Sequence, residues 1–284
     1  VMRVERGNTG GATFFFGPII GAQFFYSKDP KIFVPYVTVA VVVLVLALVF
    51  KLAYVPDIKN EDDFHLDDKA TPVSHSLMSR PHFLFGVAAQ FFYVAAQAGI
   101  FGFFINSMTA DRQTGFSMMP HIPDSWGAGA LKSLLETGTD GALHVSDAGA
   151  STLASAAFGC FLFGRITGAG WLKKFSAHKV LGFYGVMNVI CCLLIFANLG
   201  WASVACVFLS YFFMSIMFPT IFALGIFGLG DKTKKASGFI VMAIMGGALL
   251  PNLMGRIADD YNMCRGFIVP AFCFAFVAFY AFFW

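Results

Sequence analysis

Long apolar runs separated by short polar or basic stretches dominate this chain. Eight of them are long enough to cross a bilayer: residues 9–26, 33–55, 82–106, 149–171, 180–199, 201–229, 238–258 and 266–284. Helices of about 20 residues match a hydrocarbon layer of about 30 Å. Within lipid, only helices and closed barrels satisfy every backbone N–H and C=O. Barrel strands would alternate apolar and polar residues, and these runs do not. The pattern therefore predicts an all-α membrane protein built as a helical bundle. The sixth run is over-long and holds Pro219, which predicts a kink or a tilt there. No run carries an aspartate or glutamate in its core.

Distributing the loops alternately on two sides puts thirteen Lys and Arg residues on one side and six on the other. The richer side is assigned to the cytoplasm, so the C-terminus is expected there, in a multi-pass protein of the plasma membrane. Residues 56–81 are acidic, with Asp57, Glu61, Asp62, Asp63, Asp67 and Asp68, and read as a flexible cytoplasmic linker between two bundles. Residues 107–148 face outside, with a short helix expected near Ala128–Glu136. His121, Asp124 and His144 in that loop lack ligand-like spacing, so no metal site is expected.

Composition supports the membrane reading. Hydrophobic residues make up 58% of the 284 and charged ones 12%, with a mean hydropathy of +0.73. One soluble core would not hide that much apolar surface. The net charge of +3 gives no sign of nucleic-acid binding. All six cysteines fall in or beside apolar runs and read as buried reduced thiols. With no HExxH motif, no Ser/His/Asp arrangement and no ionisable cluster at membrane depth, neither an enzyme nor a cofactor is expected. The chain opens at Val1 without a full first helix and reads as the C-terminal part of a longer protein.

Three segments carry candidate chemistry. Gln90, Tyr93 and Gln97 stand at i, i+3 and i+7, within about 60° of one another on one helix face. Two amides and a phenol supply donors and acceptors for a polyhydroxylated ligand; they serve equally as interhelical hydrogen-bonding groups. Tyr211, Met214, Ser215, Phe218 and Phe222 form an aromatic stripe with one hydroxyl, suited to the C–H face of a sugar ring or to ordinary packing. Gly246 and Gly247 permit close helix approach, and Pro251 and Pro219 are candidate hinges. Arg165 is expected to end the fourth span, where it balances the helix dipole, reaches headgroups, or pairs with an acid in a gate.

The stretches AQFFYVAAQ (89–97), FGRITGAGWLKKFSAHKVL (163–181), FMSIMFPTIFALGIFGLG (213–230) and SGFIVMAIMGGALLPNLMG (237–255) resemble the major facilitator superfamily, in its L-fucose and glucose/galactose permease branch. The resemblance covers most of residues 82–284. It implies twelve helices in two six-helix halves, so that the chain holds helices five to twelve. Residues 1–55 are then the last two helices of the N-terminal bundle, 56–81 the central linker and 82–284 the complete C-terminal bundle. It also implies proton-coupled uptake of a monosaccharide by alternating access, carried out by a monomer. The partners are then a sugar, protons and the bilayer, and the substrate contacts fall on Gln90, Tyr93, Gln97, Tyr211, Met214 and Phe218. The proton-accepting acids of such proteins lie in helices one and four, outside these residues. One departure is visible: the family often has a Gln-Tyr pair where this chain has Met217–Phe218. The alternatives are a non-coupled sugar facilitator and a sugar sensor that does not transport.

Overall fold

Prolines, glycines and small polar residues set the helix boundaries of this molecule. A computed structural model describes residues 33–52, 77–109, 117–119, 122, 135–137 and 143–284. The expected first span, most of the acidic linker, and His121 and Asp124 lie outside the described residues. The helices are α1 (Phe33–Leu52), α2 (Pro81–Gly102), the short α3 (Phe104–Met108), α4 (Asp147–Leu172), α5 (Ala177–Phe196), α6 (Trp201–Met214), α7 (Met217–Ile226), α8 (Thr233–Met242), α9 (Gly246–Asp260), the short α10 (Met263–Gly266) and α11 (Ile268–Phe283). Among the described residues, six segments are long and apolar enough to cross a membrane: α2, α4, α5, the α6–α7 pair, the α8–α9 pair and the α10–α11 pair. α1 adds an apolar stretch over Val39–Val49.

Local chemistry explains several ends. Pro81 opens α2, where its missing N–H costs nothing. The Ser146 side chain accepts from the Gly149 amide at 3.1 Å and caps α4, whose first turn also holds Asp147. Asn262 caps α10 in the same way, accepting from the Arg265 amide at 3.0 Å. Gly228 has a φ of +70° in the loop after α7, and its carbonyl accepts from Arg80 Nη1 at 3.1 Å. That bond ties the start of α2 to the end of α7. A small apolar cluster of Leu77, Phe83, Leu229, Ala236 and Ile240 fills the same end.

The principal core runs through α2, α4, α5, α6, α7 and α11. The most extensive contacts pair α11 with α5, α5 with α6, α2 with both α9 and α11, and α4 with α6. Glycines make two of these seams. A Cβ on Gly164 of α4 would strike the Phe212 carbonyl, and one on Gly168 would stand 2.7 Å from Ile216. This small-xxx-small pair seats α4 directly on the junction between α6 and α7. A Cβ on Gly246 would likewise strike the Phe91 carbonyl, and one on Gly247 would come within 3.2 Å of Ala98. The two glycines thus bring α9 against the α2 backbone.

Three expectations change. The helix expected near Ala128–Glu136 is contradicted where it can be seen. Leu135–Thr137 (β1) and Leu143–Val145 (β2) pair antiparallel, with Glu136 opposite His144. Threonine and valine, at Thr137 and Val145, favour strands. The irregular turn of the seventh span lies at Ala243–Met245, and α9 runs unbroken through Pro251. Arg165 does not end its helix; α4 continues seven residues further, to Leu172.

Candidate functional site

The junction between α6 and α7 organises the site. Pro219 has no amide to give the Ser215 carbonyl, and its ring crowds that residue, so the helix breaks at Ser215–Ile216. Local groups bond within the break: Ser215 Oγ donates to the Phe212 carbonyl at 2.7 Å, and Thr220 Oγ1 to the Ile216 carbonyl at 2.7 Å. From α2, the buried Tyr93 hydroxyl donates to the Met214 carbonyl at 2.9 Å. The phenol therefore crosses to the helix end that the break exposes.

Beside this junction is a cavity of about 140 Å³ lined by Tyr93, Gln97 and Phe101 of α2, Phe158, Phe161 and Arg165 of α4, and Ser215, Phe218 and Pro219. Its polar groups are a phenol, an amide, a hydroxyl and a guanidinium; the rest of its wall is largely aromatic. Phe101 lies 5.0 Å from Phe158 and 5.9 Å from Phe161, ring centre to ring centre. Phe218 meets Tyr93 edge-on at 6.3 Å. Flat apolar rings with a few convergent donors and acceptors can bind a ligand that has one apolar face and several hydroxyls.

The sequence-derived residues divide. Tyr93, Gln97, Phe218, Pro219 and Arg165 meet at the cavity. Gln90 is wholly buried, and neither of its amide atoms finds a partner among the described residues. Tyr211 forms a layer behind the wall, stacked on Phe101 at 4.6 Å and edge-on to Phe158 at 5.3 Å. Met214 is buried and takes part through its carbonyl. Gly246, Gly247 and Pro251 lie on α9, away from this cavity. Phe222, one turn beyond Phe218 on α7, packs on the small cluster instead. Sequence reasoning missed Phe101, Phe158 and Phe161. A signal was present: Phe158, Phe161 and Arg165 repeat the i, i+3, i+7 spacing of Gln90, Tyr93 and Gln97. A second hollow, of about 370 Å³ between Phe91 and Met242, has only apolar residues on its walls and offers a polar ligand nothing to bond.

No family model matches the chain. Individual relatives do. The L-fucose-proton symporter of Escherichia coli is 32% identical over 251 residues, covering 87% of this chain and 50% of that protein. A glucose/galactose transporter of Brucella abortus is 30% identical over 246 residues, covering 87% of this chain and 52% of that protein. The crystal structure of the E. coli fucose:proton symporter superposes with a TM-score of 0.65 at 31% identity, over 88% of this chain and 54% of that one. A second structure of that transporter, described as a major facilitator superfamily protein in the outward conformation, gives 0.64 at 31% identity. The chain has the fold of a major-facilitator-type helical bundle. It is a multi-pass integral membrane protein, and it spans about half the length of the curated relatives it matches. Within this major facilitator bundle the cavity draws on the α2, α4 and α6–α7 segments, three of the six that are long enough to span.

Proposed function

We propose that the chain forms the C-terminal part of a secondary active transporter that takes up a monosaccharide of the fucose, glucose or galactose type by proton-coupled alternating access. The observation carrying this reading is the cavity itself, where Tyr93, Gln97, Ser215 and Arg165 converge among phenylalanines beside a broken helix. It agrees with the functions of the relatives, a glucose/galactose transporter and an L-fucose-proton symporter. At about 140 Å³, the cavity is smaller than the roughly 300 Å³ at which small-molecule sites begin. Helices of the other half complete it in this reading, and they supply the proton-accepting acid that the apolar spans lack. The helix break and the glycine seams are the elements that rearrange between inward-open and outward-open states.

In the same reading residues 1–55 close the N-terminal bundle, 56–81 form the linker and 82–284 the C-terminal bundle. The protein works as a monomer in the plasma membrane with its C-terminus in the cytoplasm. The test is uptake of labelled L-fucose, D-glucose and D-galactose by the natural protein in vesicles, with and without an inward proton gradient. Gradient-driven accumulation supports symport. Equilibration independent of the gradient removes the coupling and leaves a facilitator, and binding without flux leaves a sensor.

A further inference from the structure

The second hollow uses the face of α2 that the transport cavity leaves free. Leu84, Ala88 and Phe91 line the hollow, whereas Tyr93 and Gln97 line the cavity. At about 3.6 residues per turn the two sets lie on opposite sides of the helix. Phe239, Met242 and Met245 make the facing wall. On the remaining side Phe272 and Phe276 of α11 stand against Phe92, itself a wall residue. A half that completes the cavity from the Tyr93 side therefore leaves the hollow facing the bilayer. Its roughly 370 Å³, walled only by apolar side chains, suits a hydrocarbon chain. Such a chain gains no hydrophobic energy by leaving its neighbours in the bilayer, so any selectivity has to come from the headgroup.

The charge for that selectivity is at one end. α2 and α8–α9 run parallel, for Gly246 packs on Phe91 and, further along, Gly255 packs on Phe103. Both segments therefore begin at the same membrane face. There Lys234 and Lys235 are exposed, and Lys232, Lys234 and Lys235 outnumber Asp231. Lys235, Phe239 and Met242 follow i, i+4 and i+7, which sets the ammonium group one turn outside the hollow on the same face of α8. Gly238, on that face too, adds no side chain to obstruct the approach. The far end of α9 carries Asp259 and Asp260 with Arg256, so the excess of positive charge is at the mouth of the hollow.

We propose that the hollow is a site for an anionic phospholipid, with one acyl chain between α2 and α8 and the phosphate of the headgroup held by Lys234 and Lys235. The natural protein is placed in phosphatidylcholine vesicles containing phosphatidylglycerol with a photoreactive acyl chain, and the cross-linked peptides are mapped by mass spectrometry. Label is expected on residues 84–92 and 239–245. Unlabelled phosphatidylglycerol should displace it about tenfold better than added phosphatidylcholine, the two lysines acting together on the headgroup. Label on Ile190 and Leu193, exposed on α5, is the reference for ordinary lipid contact and should be diluted equally by both lipids. Lys234→Gln combined with Lys235→Gln should abolish the preference. Met242→Trp, a change at an exposed position, should fill the hollow and remove the label. Absence of label in wild type means that a second copy or the other half of the protein covers the hollow, and overturns the proposal. Equal displacement by the two lipids overturns it as well, and so does a preference that survives the loss of both lysines or a label that survives Met242→Trp. Cross-linking is read without transport, so this outcome and that of the uptake assay are independent.

Discussion

Replacing Gly246 by alanine tests the seam between α9 and α2 most directly. An added Cβ would meet the Phe91 carbonyl carbon and its ring Cδ2 at 3.0 Å each, with the carbonyl oxygen nearer still. Ordinary carbon–carbon contact is about 3.5–4.0 Å, so the helices must separate by roughly half an ångström or more. Overpacking of this kind costs about 1–3 kcal/mol. Alanine also gains up to about 1 kcal/mol of helix propensity over glycine, which would blur a single measurement. Gly238 in α8 supplies the control, because a Cβ there meets nothing within 4 Å. Both variants gain the propensity term, so their difference isolates the packing cost. Five of the six cysteines are buried, and a thiol-reactive fluorophore therefore reports unfolding during a thermal ramp in detergent. Gly238→Ala should melt at or above wild type and Gly246→Ala clearly below it, by about 1–3 kcal/mol relative to Gly238→Ala. Equal melting of the two variants would refute the seam.

Tyr93→Phe removes the 2.9 Å bond to the Met214 carbonyl; a loss of about 0.5–1.5 kcal/mol is expected in the same thermal assay, with weaker sugar binding by calorimetry. Tyr211→Phe removes a buried hydroxyl that has no partner among the described residues, and its melting should stay within about 0.5 kcal/mol of wild type or rise. Pro219→Ala restores an amide for the Ser215 carbonyl and joins α6 to α7. It should raise thermal stability by ~1 kcal/mol or more while slowing uptake, and faster uptake would show that the break is not used in the cycle.

How much of this was legible in the residues depends on the kind of pattern. Spans rest on length and apolarity, so α2, α5 and the α6–α7 segment fall within a few residues of their expected limits. Pro219 announced a disturbance because it withholds an amide from the Ser215 carbonyl in the middle of a long span, where the break is found. Arg165 does not mark the end of its helix because one charge leaves the backbone hydrogen bonds intact: the apolar run continues past it and α4 reaches Leu172. The face of Gln90, Tyr93 and Gln97 was correctly periodic. Yet Gln90 points into packed protein, because depth within a bundle depends on neighbours that spacing along one helix cannot name. Phe158 and Phe161 are two of 36 phenylalanines; in so aromatic a chain, composition hides the few that line a cavity. The β1–β2 ribbon carried its signal in Thr137 and Val145, whose β-branched side chains favour strands, a signal obscured by the helix-forming Ala, Leu and Glu residues of the same stretch.

A hydroxyl has a single hydrogen to donate, and Tyr93 directs its own sideways, to Met214. That hydrogen is therefore not available to whatever enters the cavity, and a ligand group that reaches this oxygen can bond to it only by bringing a hydrogen of its own. An alcohol on the incoming ring answers that demand; a methyl ether or a fluorine at the same carbon does not. Deoxy, O-methyl and fluoro analogues, tried position by position, would thus reveal which corner of the visitor rests against this phenol.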